Sequence, residues 1–216
     1  GLDKDGRDRT AVCCLSSLNI EKYDDWKDDK NFINDVMRFL DNVLTDFIEN
    51  APEQFSDATY SAMRERSVGL GVMGLHSYFQ KKTIPLESVM SKVWNKKIFE
   101  YIQKKVDESS KELAKERGAC PDAEEYGIEE RFSNKTAIAP TASISIICGG
   151  TSPGIEPIAA NSYTHKTLSG SFNVRNKHLE KVLEKYNKNN DEIWSSITTN
   201  QGSVMHLDFL SKEEKD

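Results

Sequence analysis

The sequence predicts an α/β fold, and three features carry that prediction. Residues 28–50 and 86–117 show the apolar spacing of long amphipathic helices. Two short apolar runs, residues 10–20 and 136–139, suit buried strands. The second run passes through Pro140 into a small, hydroxylated stretch able to start a helix, so strand and helix meet across a tight turn.

That turn is the organising stretch. Thr141, Ala142, Ser143, Ile144 and Ser145 follow Pro140, and residues 143–148 are enough for one or two helical turns. Gly149 and Gly150 then close the helix as a C-cap pair. A strand, a tight turn and a helix N-terminus aim several free N–H groups at one point. The positive end of the helix dipole adds to them, so the arrangement favours a phosphate. Thr141, Ser143 and Ser145 can add hydroxyl donors, while Ala142 leaves the approach open. No lysine or arginine lies between Thr136 and Pro157, so amides and hydroxyls would hold the anion. An ordinary strand–turn–helix with a Thr or Ser N-cap satisfies the same spacing equally well.

The remaining elements follow in chain order. Residues 10–20, centred on Val12, Cys13, Cys14 and Leu15, read as a buried strand or a strand running into a turn. If extended, they point Cys13 and Cys14 to opposite faces, so one can line a site while the other packs. Ile33, Val36, Met37, Leu40, Val43, Leu44, Phe47 and Ile48 give the 28–50 helix its apolar face, with Asp28 or Asp29 as cap. Residues 56–67 read as a more polar helix.

Residues 69–74 form a literal G-x-G-x-x-G, but no hydrophobic strand precedes it, which dinucleotide binding requires. Its glycines are expected instead to let a helix over residues 71–81 press against a neighbour. Met90, Trp94, Ile98, Ile102 and Val106 mark the stripe of the 86–117 helix, capped by Gly118. Residues 121–131 read as an acidic loop with solvated carboxylates. Residues 155–160 and 163–168 read as irregular or extended, with a turn at Gly170 before residues 171–174. Short helices are expected over 178–186 and 191–199, and a helix start at 211–216.

Composition bounds the function. The 216 residues are 37% hydrophobic and 30% charged with a net charge of −6, enough for the core of one domain and without a basic footprint for nucleic acid. No apolar run approaches a bilayer span and no signal peptide opens the chain, so a cytoplasmic protein is expected. Cys13, Cys14, Cys120 and Cys148 make no disulfide framework and no Cys-x-x-Cys pair, which fits a reducing compartment. His76, His165, His178 and His206 lack ligand spacing, so no metal site is expected. The first residue is Gly and residues 211–216 open a helix at the very end, so a piece of a longer polypeptide is expected.

The wording of the organising stretch resembles a known family. Ala-Pro-Thr-Ala-Ser-Ile-Ser-Ile-Ile-Cys-Gly at 139–149, followed by Ser-Pro-Gly-Ile-Glu-Pro at 152–157, is similar to the substrate-phosphate loop of the large subunit of class I ribonucleotide reductases. Residues 10–19, 66–75, 112–121 and 166–172 also resemble the family, in its order and across nearly the whole chain. The resemblance implies part of a ten-stranded α/β barrel, with residues 1–216 as one partial barrel domain. It implies reduction of ribonucleotides to 2′-deoxyribonucleotides by a cysteine thiyl radical. Cys13 falls where the family has one of the two cysteines that reduce the substrate, and Cys14 where other residues are tolerated. Thr141, Ala142, Ser143, Ile144 and Ser145 fall on the diphosphate cradle.

The radical cysteine, the second redox cysteine, the effector site and any ATP cone would lie upstream. The radical-transfer tyrosines and the mobile cysteine tail would lie downstream. No cofactor is expected on this chain. The radical would come from a metal-containing small subunit, and electrons from thioredoxin or glutaredoxin. The alternatives are an inactive nucleotide-binding or structural fragment and a portion of a cobalamin-dependent class II reductase.

Overall fold

The computed structural model describes residues 1–167 and 170–216. Chain order gives β1 (Leu15–Asn19), α1 (Tyr23–Trp26), α2 (Phe32–Asn50), α3 (Ser56–Glu65), β2 (Gly69–Met73), α4 (Leu75–Lys81), α5 (Val89–Arg117) and α6 (Pro121–Glu124). Then come α7 (Ile144–Ile147), β3 (Ser162–Thr167), β4 (Gly170–Arg175), α8 (Lys177–Lys185), α9 (Asp191–Thr199) and α10 (Lys212–Lys215).

β1 and β2 pair in parallel, from Leu15 opposite Gly69 to Asn19 opposite Met73. Thr136 bridges Leu70 in parallel on the other side of β2. All five residues of β2 are buried, as befits a central parallel strand covered on both faces. The expected 136–139 strand is thus shorter than a strand: Leu70 N–H donates to Lys135 O at 2.9 Å and Ala137 N–H to Leu70 O at 3.3 Å, and pairing stops there. Pro140 has no N–H to extend it. The 10–20 strand is also trimmed, with regular pairing only from Leu15. Arg66 turns the chain at φ 42° three residues before its partner β2 begins.

The G-x-G-x-x-G stretch corrects an expectation. Residues 69–73 are a strand, and the helix begins only at Leu75. The glycines do serve close approach, but of sheet neighbours. A Cβ on Gly71 would run into the carbonyl oxygen of Ala137, and one on Gly69 would strike the side chains of Leu15 and Ala137. Gly74 takes φ 80° to swing the chain from β2 into α4.

α2 and α5 cover this sheet. Ile33, Met37, Leu40 and Leu44 of α2 and Ile98, Ile102, Val106 and Leu113 of α5 are buried with Leu18, Leu70 and Val72 in one core. Val43 and Met90, expected on the apolar faces, are exposed instead. α5 starts at Val89, where the Ser88 side chain accepts from Ser91 N–H as cap, so Met90 lies in the first turn, beyond the sheet.

The acidic stretch after Gly118 also differs from expectation. Pro121 opens the helical turn α6. Three of the five carboxylates in residues 121–131 are paired: Asp122 lies 2.6 Å from Arg9 and 2.7 Å from Arg64, Glu125 lies 2.7 Å from Lys4, and Glu130 lies 3.4 Å from Lys135. Glu124 and Glu129 are exposed as expected.

A second core gathers Leu179, Leu183, Trp194, Ile197, Val204, Leu207 and Leu210 from α8, α9 and the segment after them. The antiparallel pair β3–β4 leads into it, with Tyr163 opposite Val174. The expected extended segment 163–168 includes residue 168, which lies outside the described residues, and Gly170, expected to make a turn before residues 171–174, is the first residue of β4. No helix among the described residues is long and apolar enough to cross a membrane.

Candidate active site

The site assembles where the parallel segments end. β1, β2 and the Thr136 segment run the same way and finish at Asn19, Met73 and Pro140. Residues 140–152 fold across those ends, the place where open parallel sheets present ligands. The exit of this loop is pinned to α4: Gly74 N–H donates to Ser152 O at 2.7 Å, Ser77 N–H to Ser152 Oγ at 3.1 Å, and Ser152 N–H to Ser77 Oγ at 2.8 Å.

Within the loop the five candidate residues divide in two. Thr141 is buried at φ 53°, and its Oγ1 accepts from Gly154 N–H at 2.8 Å. Ser145 is buried, donating N–H to Thr141 O at 3.0 Å and Oγ–H to Ala142 O at 3.3 Å. These two residues fix the turn. Ala142, Ser143 and Ile144 are exposed, and their N–H groups donate to no acceptor among the described residues. Ser143 stands at the N-cap of α7 without making a side-chain cap bond, and it is exposed. The expected C-cap pair is present: Gly149 and Gly150 take φ 89° and 63°, and Gly150 N–H donates to Ile146 O at 3.1 Å.

Sequence reasoning missed the charges that meet the loop from behind. Lys177, the first residue of α8, places Nζ 2.8 Å from Gly149 O, 2.8 Å from Glu21 Oε2 and 2.7 Å from Glu21 Oε1. His178 Nε2 lies 3.4 Å from Glu21 Oε1. Burial works to raise the Glu21 carboxyl, but His178, Lys177 and Thr151 outweigh it and hold it at about 2. Asn19 Nδ2 reaches Cys148 O at 3.5 Å. Glu21 and Lys177 are 156 positions apart, and no local pattern links them.

Cys13 is exposed and Cys14 buried, the division expected of adjacent residues in extended chain. Cys14 Sγ lies 3.8 Å from Leu40 O, and burial raises its thiol. Cys13 precedes β1, whereas the loop sits past its far end; the four steps of β1 between them span about 13 Å. The thiol and the amides are therefore not in contact. Cys13 lies an even number of positions from Asn19, whose side chain reaches the loop.

Among the described residues no three His, Cys, Asp or Glu side chains converge to hold a metal. A cavity of about 300 Å³ lies elsewhere, between α4 and α8, lined by His76, Gln80, Asn161, Asn176, His178 and Gln201 among others. None of residues 141–145 lines it.

A parallel sheet whose carboxyl ends carry a loop of open amides defines an α/β protein. The chain belongs to the ribonucleotide reductase barrel-domain family, whose model, "Ribonucleotide reductase, barrel domain", matches residues 2–129 and 121–216. It is 50% identical over 211 residues to the ribonucleoside-diphosphate reductase large subunit of Invertebrate iridescent virus 6, covering 96% of this chain and 22% of the relative. The large subunit of Invertebrate iridescent virus 3 is 46% identical over 210 residues, with 96% and 33% covered. The Actinobacillus ureae class Id ribonucleotide reductase alpha subunit superposes with a TM-score of 0.87 at 39% identity, over 96% of this chain and 38% of that one. The chain thus spans between a fifth and two fifths of the proteins it matches.

Proposed function

We propose that this chain forms the substrate-phosphate side, and one redox thiol, of a ribonucleoside-diphosphate reductase large subunit. The observation that carries this reading is the loop: the open amides of Ala142, Ser143 and Ile144 stand over the carboxyl ends of parallel segments. Thr141 and Ser145 hold the turn, and the Ser143 hydroxyl adds a donor. Charge-assisted bonds of this kind contribute about 1.5–3 kcal/mol each.

In this reading the diphosphate docks on the loop and the ribose extends along β1 toward Cys13. A thiyl radical on a cysteine outside these 216 residues takes the 3′ hydrogen, and the 2′ hydroxyl leaves as water. Cys13 and a second cysteine elsewhere supply two electrons and become a disulfide, which thioredoxin or glutaredoxin re-reduces. Likeness to a class I alpha subunit supports a radical supplied by a separate, metal-containing small subunit. The remaining large-subunit segments complete the barrel, and the enzyme works in the cytoplasm.

Proline at position 143 removes one of the open amides. In a complete large subunit carrying this segment, Ser143→Pro lowers affinity for a ribonucleoside diphosphate at least about tenfold. Unchanged affinity overturns the assignment.

A further inference from the structure

We propose that Lys177 is a positioning residue for the loop, holding residues 141–150 in their anion-binding shape through a charge pair with Glu21. This rests on reading the loop as the phosphate site, and it adds a partner from α8 to a loop that carries no cation of its own.

The need for such a residue follows from the loop's construction. α7 is a single turn of four residues, too short to persist by its own hydrogen bonds. Two successive left-handed glycines close it, and neither restrains the backbone. Its entry is fixed by Thr141 Oγ1 accepting from Gly154 N–H, and its exit by the Ser77–Ser152 pair. Between those anchors two side chains among the described residues grip the carbonyl end of the turn. Asn19 reaches Cys148 O at 3.5 Å, and Lys177 reaches Gly149 O at 2.8 Å.

The lysine is the stronger of the two, and its direction is set. Glu21 is 8% exposed and follows β1 on a short helical turn, so its carboxylate is a fixed point on the sheet. Nζ bridges that carboxylate and Gly149 O, which ties the loop to β1 through a charge. A cation at the carbonyl end of a turn also favours an anion at its amide end. Lys177 lies 28 positions from Gly149 and, among the described residues, bonds to Gly149 and Glu21 and to none of 141–145, so its effect on a ligand is exerted through the loop.

The test uses a complete large subunit carrying this segment, with binding of a ribonucleoside diphosphate and of inorganic pyrophosphate measured by calorimetry. Lys177→Met is expected to weaken both ligands about tenfold and to raise KM more than it lowers kcat. Lys177→Arg, which can span the same two acceptors, is expected to restore most of the affinity. Wild-type affinity in Lys177→Met, with affinity lost in Ser143→Pro, overturns the positioning role and leaves the phosphate site standing. Wild-type affinity in Ser143→Pro removes the phosphate site and this proposal together. A lowered melting temperature in Lys177→Met with no recovery in Lys177→Arg assigns the lysine to general stability and also overturns the proposal.

Discussion

Arg66 donates to Asp41 Oδ1 from Nε at 2.9 Å and from Nη2 at 2.7 Å, and the aspartate side chain has no solvent exposure. Arg131 Nε reaches the same oxygen at 2.9 Å, and Arg117 Nη1 reaches Oδ2 at 2.8 Å. One carboxylate in α2 thus gathers the end of α3, the end of α5 and the segment leading to the loop. Burial works against the Asp41 charge, but Arg131, Arg66 and Arg117 outweigh it and keep its carboxyl below the usual range.

Removing that carboxylate leaves three guanidinium groups facing one another. Asp41→Asn is expected to destabilise the chain by about 3–5 kcal/mol, the cost of stranding buried charge. Urea unfolding followed by circular dichroism measures it. A loss below about 1 kcal/mol would show that water reaches the cluster and that the pairing contributes little.

Glu21 gives a pH dependence with a definite sign. Its folded value, about 2, lies below the ordinary glutamate value of 4.5, so its contribution to stability is present above about 4.5 and is lost as pH falls toward 2. The contribution is on the order of 3 kcal/mol. Glu21→Gln should therefore flatten the fall in unfolding free energy across that interval. An equally steep fall in the variant would place the titrating group elsewhere.

Gly71 tests the sheet's close approach. Gly71→Ala pushes a methyl group into the Ala137 carbonyl, and backbone cannot yield as a flexible side chain can. The expected cost is about 1–3 kcal/mol or more. The Leu70–Thr136 bridge should open with it, read as faster amide exchange at Leu70 and Ala137. Protection equal to wild type at both amides contradicts the packing described.

The thiols should divide by burial. Brief treatment of the folded chain with iodoacetamide is expected to label Cys13 and Cys148 and to spare Cys14 and Cys120, whose thiols burial raises. Peptide mass mapping reads the result. In a complete reductase, Cys13→Ser should abolish repeated turnover with a dithiol reductant, whereas Cys14→Ser should leave it; sustained turnover in Cys13→Ser removes that thiol from the reaction.

Much of this was legible in the residue order, because its causes are local. Apolar spacing placed α2 and α5, and Pro140 with Gly149 and Gly150 bounded the loop. Adjacent cysteines in extended chain must face opposite ways, and they do. The quoted motifs pointed to the family that the barrel-domain match shows. What the sequence could not determine depended on distant partners. Residues 71–73 read as the start of a helix because nothing local says that Leu15 and Ala137 will lie against the glycines at 69 and 71. Asp122 and Glu125 read as solvated because Arg9, Arg64 and Lys4 arrive from elsewhere in the chain. The bridge from Lys177 to Glu21 and Gly149 joins three segments whose order along the chain carries no trace of their meeting. Propensity and spacing act over a few residues, whereas charge pairing and close packing act through space, so only the folded chain could decide them.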